Sequence, residues 1–193
     1  MFKHIRALVV LVALTVAVGA VLYPLAVYAF AQGLFPASAN GSLIERDGKT
    51  VGSRLIAQEF KGDEWFRPRP SAAGYNAAAS GGSNFGASNP KLRERIDEQL
   101  KGEARGAAVA ADAVLASGSG LDPHVTLSNA KQQVERIVAA RAKAGADGTR
   151  VRAEADAVLS ALAFSPLGGL VGGEPLVNVL EANLELARRS APR

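Results

Sequence analysis

Residues 7–31, from Ala7 to Ala31, read ALVVLVALTVAVGAVLYPLAVYAFA and contain no Asp, Glu, Lys, Arg or His. A helix needs about 20 apolar residues to cross the hydrocarbon core of a bilayer, and this run is long enough. Thr15, Gly19 and Pro24 interrupt it, and membrane helices tolerate such residues. The chain beyond is polar enough to be soluble. The expected organisation is a cytoplasmic N-terminus (1–6), a transmembrane helix (7–31), a linker (32–40) and one soluble domain (41–193). The fold class expected is α+β: a single N-terminal membrane helix followed by a mixed helix/strand domain with Gly-rich loops.

A cleaved signal peptide is the competing reading. Lys3 and Arg6 form a basic start, and Ala29-Phe30-Ala31 and Ala37-Ser38-Ala39 resemble cleavage sites. A signal core, however, is usually about 7–15 apolar residues, and this run is far longer. Tyr23 and Tyr28 also lie in its second half, where an interfacial aromatic belt forms. Basic residues set orientation. Lys3, His4 and Arg6 abut one end of the helix, whereas the first basic residue beyond the other end is Arg46, beside Glu45 and Asp47. The positive-inside rule then places the soluble domain outside the cytoplasm.

Composition narrows the function classes. The chain has 193 residues and a formal net charge of +4, part of it from Lys3 and Arg6, so the soluble part is close to balanced. No basic run interleaved with aromatics appears, which argues against nucleic-acid binding. There are no cysteines, so neither disulfides nor thiolate chemistry contribute. The 20 glycines are clustered rather than scattered.

Along the domain, residues 42–60 alternate in short stretches, predicting one or two strands with a turn at Asp47-Gly48. Residues 64–75, EWFRPRPSAAGY, predict a rigid, extended surface segment. Residues 77–90, AAASGGSNFGASNP, read as an ordered loop rather than a linker, because Phe85 and the preceding Tyr75 have no place in a linker. Asn89 and Pro90 predict an N-cap and first helical residue, with Leu92, Ile96 and Leu100 on one face and Gly102 closing the helix. An alanine-rich helix is expected over 107–115. Ser128 or Asn129 is expected to cap the next helix, with Gln132 completing a capping box. Val134, Ile137, Val138 and Arg141 share its stripe, and Gly145 ends it. A further helix starts at Thr149, with Val151, Ala155, Val158, Leu159 and Leu162 inward, and Ser165-Pro166 stops it. A Gly-rich loop spans 168–175. Residues 177–186 alternate as a half-buried strand, although Val177, Leu180 and Leu184 also suit a helix. The ARRSAPR tail is expected to fray.

Catalytic patterns are sparse. His124 is the one histidine of the soluble part, and zinc needs three or four His, Cys or carboxylate ligands. A hydrolase would have to recruit His124 with Asp122 and a loop serine, yet no G-x-S-x-G elbow is present: Ser83 follows two glycines, but Phe85 stands where the closing glycine belongs. No G-x-x-x-x-G-K-[ST] loop precedes a helix. Ser80-Gly81-Gly82-Ser83 and Ser117-Gly118-Ser119-Gly120 have the composition of anion-binding nests, and equally of tight turns that hold close backbone packing.

Taken together, the loops resemble the C subunit of the Kdp-type potassium-transporting ATPase. The resemblance covers nearly the whole chain: the apolar helix, GSLI (41–44), VGSRLIAQEF (51–60), RPSAAGYN (69–76), SGGSNFGASNP (80–90), SGSGLDPH (117–124) and GEPLVNVLEANL (173–184). Departures are small, with Ala110 where relatives usually carry proline and Ala182 where leucine is common.

The resemblance implies an accessory, non-catalytic subunit of a high-affinity, ATP-driven potassium uptake complex in the plasma (inner) membrane. Its partners would be a potassium-channel-like subunit and a P-type ATPase subunit, together with membrane lipid, and no nucleic acid. The family is described as a catalytic chaperone that supports ATP binding and hydrolysis by the ATPase subunit, and it often carries an ATP-binding label. The orientation read from the charges would keep the domain away from cytoplasmic ATP. The expectation is therefore no stably bound cofactor, ATP reached only through the partner, and a domain over the potassium entrance. The motif residues become candidates for structural or partner-contact roles: Arg69, Pro70, Ser71, Gly74, Tyr75 and Asn76; Ser80, Gly81, Gly82, Ser83 and Asn84; Ser117, Gly118, Ser119, Gly120, Asp122, Pro123 and His124; and Gly173, Glu174 and Asn178. Two alternatives from other classes are a membrane-anchored envelope hydrolase using Ser83 or Ser119 with His124, and an exported module whose Gly-rich loops hold a small anion.

Overall fold

A computed structural model describes residues 2–46, 48–103, 108–170 and 172–190. The chain divides into two compact units, residues 1–51 and 52–193.

In the first unit, helix α1 (Phe2–Leu34) contains the apolar run, with mean hydropathy 2.6 and none of it buried. It is long and apolar enough to cross a membrane. Its 33 residues extend about 50 Å at 1.5 Å per residue, beyond the roughly 30 Å of a bilayer core. Pro24 lacks the N–H that the preceding turn needs. That turn is π-helical over Ala17–Leu22, and Tyr23 N–H bonds the Val18 carbonyl. Residues 32–40, expected as a linker, are mostly helical: α1 continues to Leu34, and another helical turn spans Pro36–Ala39. The Gln32 and Asn40 side-chain amides exchange hydrogen bonds of 3.1 and 3.2 Å. Strands β1 (Leu43–Arg46) and β2 (Lys49–Ser53) pair. Gly48 turns between them at φ +72; Asp47 lies outside the described residues.

The second unit is the mixed domain. Its core is three helices packed against a small antiparallel sheet: α3 (Leu127–Lys143), α4 (Gly148–Leu162) and α5 (Val179–Ser190), with β3 (His124–Thr126) and β4 (Leu176–Asn178). The register pairs His124 with Asn178, Val125 with Val177 and Thr126 with Leu176. Val134, Ile137, Val151, Ala155, Val158 and Leu159 fill the core as the helical spacing predicts. Helix α2 (Pro90–Glu103) begins as expected, with Asn89 Oδ1 accepting from Lys91 N–H at 3.0 Å.

Several expectations are corrected. The strand expected over 177–186 stops at Asn178, and Val179 opens a helix. Asn178 Oδ1 accepts from Glu181 N–H at 3.2 Å. Val179, Ala182 and Leu186 then fall on one buried helical face, which the leucine alternation obscured. The tail does not fray through Ser190: Ser190 Oγ meets Glu154 at 2.9 Å and Arg189 Nε meets Glu185 at 2.8 Å. Residues 191–193 lie outside the described set.

The cap of α3 is Thr126, whose Oγ1 accepts from Asn129 N–H at 3.2 Å, rather than Ser128 or Asn129. Gln132 closes no capping box. It bonds the Ala108 carbonyl and the Ala110 N–H at 2.9 and 3.1 Å. Asp147 caps α4, so that helix starts at Gly148 rather than Thr149. The helix expected over 107–115 is a single turn, Ala111–Val114. Asp112 turns inward to bond Thr126 N–H and Oγ1 at 2.7 and 3.1 Å, and Leu115 is extended. Ala107 lies outside the described residues, as does Val171 of the 168–175 loop. Finally, segment 64–75 is not confined to the surface, because Phe66 is 1 % exposed and sits in the core.

Candidate functional site

Three loop motifs converge in one packed cluster. Arg69 organises it from RPSAAGYN. Its guanidinium reaches the Leu115 carbonyl (3.4 Å), the Ala116 carbonyl (3.3 Å) and Asp122 Oδ2 (3.4 Å). Pro70 beside it is buried. Ser71 Oγ donates to the Gly120 carbonyl at 2.6 Å and accepts from Tyr75 N–H at 2.9 Å. Gly74 and Tyr75 both take left-handed backbone, φ +60 and +56. For Tyr75 that conformation carries strain. Its hydroxyl donates to the Arg69 carbonyl at 3.0 Å, closing the loop on itself. Burial, with Glu59 adding to it, holds the Tyr75 pKa above its ordinary value against the opposing charges of Arg67 and Arg95.

The two glycine-serine loops lie backbone against backbone. Gly81 N–H donates to the Ser119 carbonyl at 2.8 Å, and Ser80 Oγ donates to the same carbonyl at 3.2 Å. A Cβ on Gly82 would stand 2.9 Å from the Gly118 carbonyl oxygen, and one on Gly120 would stand 2.7 Å from that of Gly81. Gly120 also has φ +67. The hydroxyls bond the loop's own backbone: Ser119 Oγ accepts from Leu121 N–H at 3.1 Å, and Ser117 Oγ accepts from Asp122 N–H at 3.5 Å.

Asp122 links this cluster to the sheet. Its Oδ1 accepts from His124 N–H at 3.0 Å and lies 3.5 Å from His124 Nδ1. Burial pushes the Asp122 pKa up, but the His124 hydrogen bonds and the Arg69 charge outweigh it and hold the carboxyl below its usual range. His124 and Phe164 pack in a T-shaped arrangement, centroids 5.3 Å apart. Among the described residues no serine hydroxyl bonds His124, so the Ser–His–Asp arrangement is not assembled.

The last motif serves helix ends. Glu174 accepts from Ser128 N–H (2.6 Å) and Ser128 Oγ (3.0 Å), placing a carboxylate on the positive first turn of α3. Asn178, 3 % exposed, caps α5 and donates Nδ2 to the Arg54 carbonyl at 2.9 Å. Pro123 supplies a carbonyl to Val179 N–H at 3.0 Å. Gly173 takes φ +103. Among the described residues, the side chains of Asn76, Ser83 and Asn84 make no hydrogen bond to the other two loops of the cluster. Asn76 makes a local turn through Oδ1 to Ala78 N–H at 3.0 Å, and Asn84 takes φ +54.

The family model described as "K+-transporting ATPase, c chain" matches residues 4–188. The chain belongs to the KdpC family. It is 46 % identical to the potassium-transporting ATPase KdpC subunit of Rhodopseudomonas palustris over all of both chains. It is 48 % identical to that of Kineococcus radiotolerans, over 96 % of this chain and 92 % of the relative. With that of Bradyrhizobium diazoefficiens the identity is 43 %, over 99 % of this chain and all of the relative.

Sequence reasoning missed the polar supports of this KdpC fold. Asn183 and Gln133, 2 % and 3 % exposed, bond the backbone of Phe66 and Arg67. Their signal was a polar amide on an otherwise apolar helical stripe. Trp65 lies in the segment expected at the surface, and the Arg141 guanidinium lies over its ring, 5.3 Å from the centroid. That stacking has no sequence signature, since the two residues are far apart in the chain.

Proposed function

We propose that this chain is the accessory, non-catalytic C subunit of a high-affinity, ATP-driven potassium uptake complex. One observation carries the reading: the match to potassium-transporting ATPase C chains runs through both the apolar helix and the loop cluster. In this reading α1 anchors the subunit in the plasma (inner) membrane, with the N-terminus cytoplasmic and the domain outside. Its partners are the channel-like subunit and the P-type ATPase subunit. The domain braces or covers the potassium entrance, and its support of ATP binding and hydrolysis passes through the partners' membrane helices. The chain itself holds no cofactor stably.

The loop geometry supports a packing role over direct nucleotide contact. A phosphate nest needs free backbone N–H groups converging on one point. Here the N–H groups of Gly81, Gly120 and Leu121 are already spent on the Ser119 carbonyl, the Ser117 carbonyl and Ser119 Oγ. The test is affinity capture of the tagged chain from detergent-solubilised membranes, paired with growth at limiting potassium. Co-purification of both pump subunits, with growth lost on deletion of the chain, is expected. Capture of neither subunit, with growth unaffected, would overturn the reading.

A further inference from the structure

A pocket of about 330 Å³ opens between the 59–75 segment, α2 and the first turns of α3. Its lining includes two side-chain amides that solvent barely reaches, Asn129 at 2 % exposure and Gln133 at 3 %. Gln133 is fully engaged. Its Oε1 accepts from Arg67 N–H at 2.7 Å, and its Nε2 donates to the Arg67 carbonyl at 3.0 Å and to Asn129 Oδ1 at 2.9 Å. Asn129 is half engaged: beyond that bond to Oδ1, its Nδ2 meets no acceptor among the described residues. That end of the amide is open to the pocket rather than sealed from solvent, so it is a donor available to whatever the pocket holds. A donor facing a pocket without a protein acceptor is suited to an oxygen from a ligand.

The pocket wall carries charges of both signs. Arg67, whose Nη2 donates to Asp63 Oδ1 at 2.6 Å, and Arg95 stand opposite Glu59 and Glu98. Arg95 spends Nη2 on the Ser71 carbonyl at 3.0 Å, and among the described residues Glu59 pairs with the exposed Lys61, at 3.4 Å. Phe60, Pro68 and Pro70 add apolar surface. Small-ligand sites have this make-up, an apolar wall with a few converging polar groups.

We propose that this pocket binds a small zwitterion of the α-amino acid class, its carboxylate on Asn129 Nδ2 and the Arg95 guanidinium and its ammonium toward Glu59 and Glu98. The inner donor selects an acceptor oxygen. A wall of both signs disfavours a ligand of net charge, since a lone anion leaves the glutamates opposed and a lone cation leaves the arginines opposed.

Isothermal titration of the full chain in detergent tests this, with glycine, L-alanine, L-proline and L-glutamine as probes and acetate and ethylammonium as controls. At least one amino acid binds with a millimolar or tighter Kd, and neither control matches it. Asn129→Asp keeps the acceptor for Gln133 and replaces the free donor by a charged acceptor, so it weakens binding about tenfold or more. Glu98→Gln, on the exposed face of α2, weakens the amino acid while leaving thermal stability unchanged; it keeps the test decisive if the Asn129 variant fails to fold. Silence from every amino acid, acetate binding as tightly as the amino acids, or undiminished binding in the folded variants would each overturn the assignment.

Discussion

The side-chain amide of Asn183 exchanges two hydrogen bonds with the backbone of Phe66: Phe66 N–H donates to Oδ1 and Nδ2 donates to the Phe66 carbonyl, each at 2.8 Å. One residue further on, Gln133 does the same for Arg67, at 2.7 and 3.0 Å. The segment is interrupted by Pro68 and Pro70, which remove donors and bar regular pairing. Buried backbone groups must still be satisfied, and two helix side chains stand in for a neighbouring strand. Asn183→Leu leaves both Phe66 backbone groups without partners in the core. It should cost about 2–4 kcal/mol of unfolding free energy, read by denaturation of the full chain in detergent. A loss under about 0.5 kcal/mol, the scale of an ordinary surface substitution, would show that the pairing is incidental.

The glycines of SGSG are not equivalent. Gly118 has no neighbour within 4 Å of an added Cβ, whereas Gly120 has the Gly81 carbonyl oxygen at 2.7 Å and a φ of +67. Gly118→Ala should stay within about 0.5 kcal/mol of the parent. Gly120→Ala should cost about 1–2 kcal/mol from the left-handed backbone alone, with the clash added, whereas Gly82→Val should destabilise through its clash with the Gly118 carbonyl oxygen, 2.9 Å from an added Cβ. Limited proteolysis and thermal melts separate these cases. Equal resistance in all of them would return the 77–90 stretch to the status of a linker.

What the sequence made legible follows from periodicity. α1 is one long apolar run, and α3 and α4 carry long apolar stripes; all three stand close to where the sequence placed them, although Thr126 and Asp147, not the expected residues, cap α3 and α4. The β4–α5 junction was opaque, because Leu180, Leu184 and Leu186 sustain an alternation while Val179, Ala182 and Leu186 sustain a helix. Small Ala182 and polar Asn183 hid the helical face. In the loops, composition announced glycine packing, but not which glycine met which carbonyl. Those contacts join residues about 40 positions apart, a separation that local pattern rules do not reach.

His124 should be dispensable for pump chemistry. Its side chain contacts Asp122 and the Phe164 ring, both structural neighbours. In the assembled complex, His124→Ala should keep potassium-stimulated ATPase activity within a few-fold of the parent. A loss as deep as removing the whole subunit, with the complex still assembled, would assign the residue a direct role.

Acid should loosen the loop cluster through Asp122. Its carboxyl titrates below the usual range when folded, so its contribution is fully present above the ordinary carboxylate pKa of about 3.9. That contribution is lost as pH falls through the depressed folded value. Unfolding free energy should therefore fall with decreasing pH below about 4. Asp122→Asn should be less stable at neutral pH and show a shallower acid slope. An unchanged slope would mean that other carboxylates, such as Glu185, whose pKa is held at about 2 by Arg188 and Arg189, dominate the acid limb.

Orientation decides whether the domain can ever meet nucleotide. Lys3, His4 and Arg6 sit at one end of α1. The helix exceeds the bilayer core, so this basic cluster can stand in the aqueous phase on the side that retains positive charge. An outside domain meets potassium before transport and never cytoplasmic ATP, so any effect on ATP affinity has to be a coupling through the partner's membrane helices. The chain contains no cysteine, which leaves the labelling background clean. Ser119→Cys and, separately, Phe2→Cys can be treated in spheroplasts with a membrane-impermeant maleimide. Residue 119 is exposed, so its cysteine should label at once, and the Phe2→Cys chain only after the membrane is opened. The reverse pattern would put the domain in the cytoplasm. It would then make direct nucleotide contact physically possible and turn attention to surfaces of the 80–83 and 117–120 loops beyond their mutual packing.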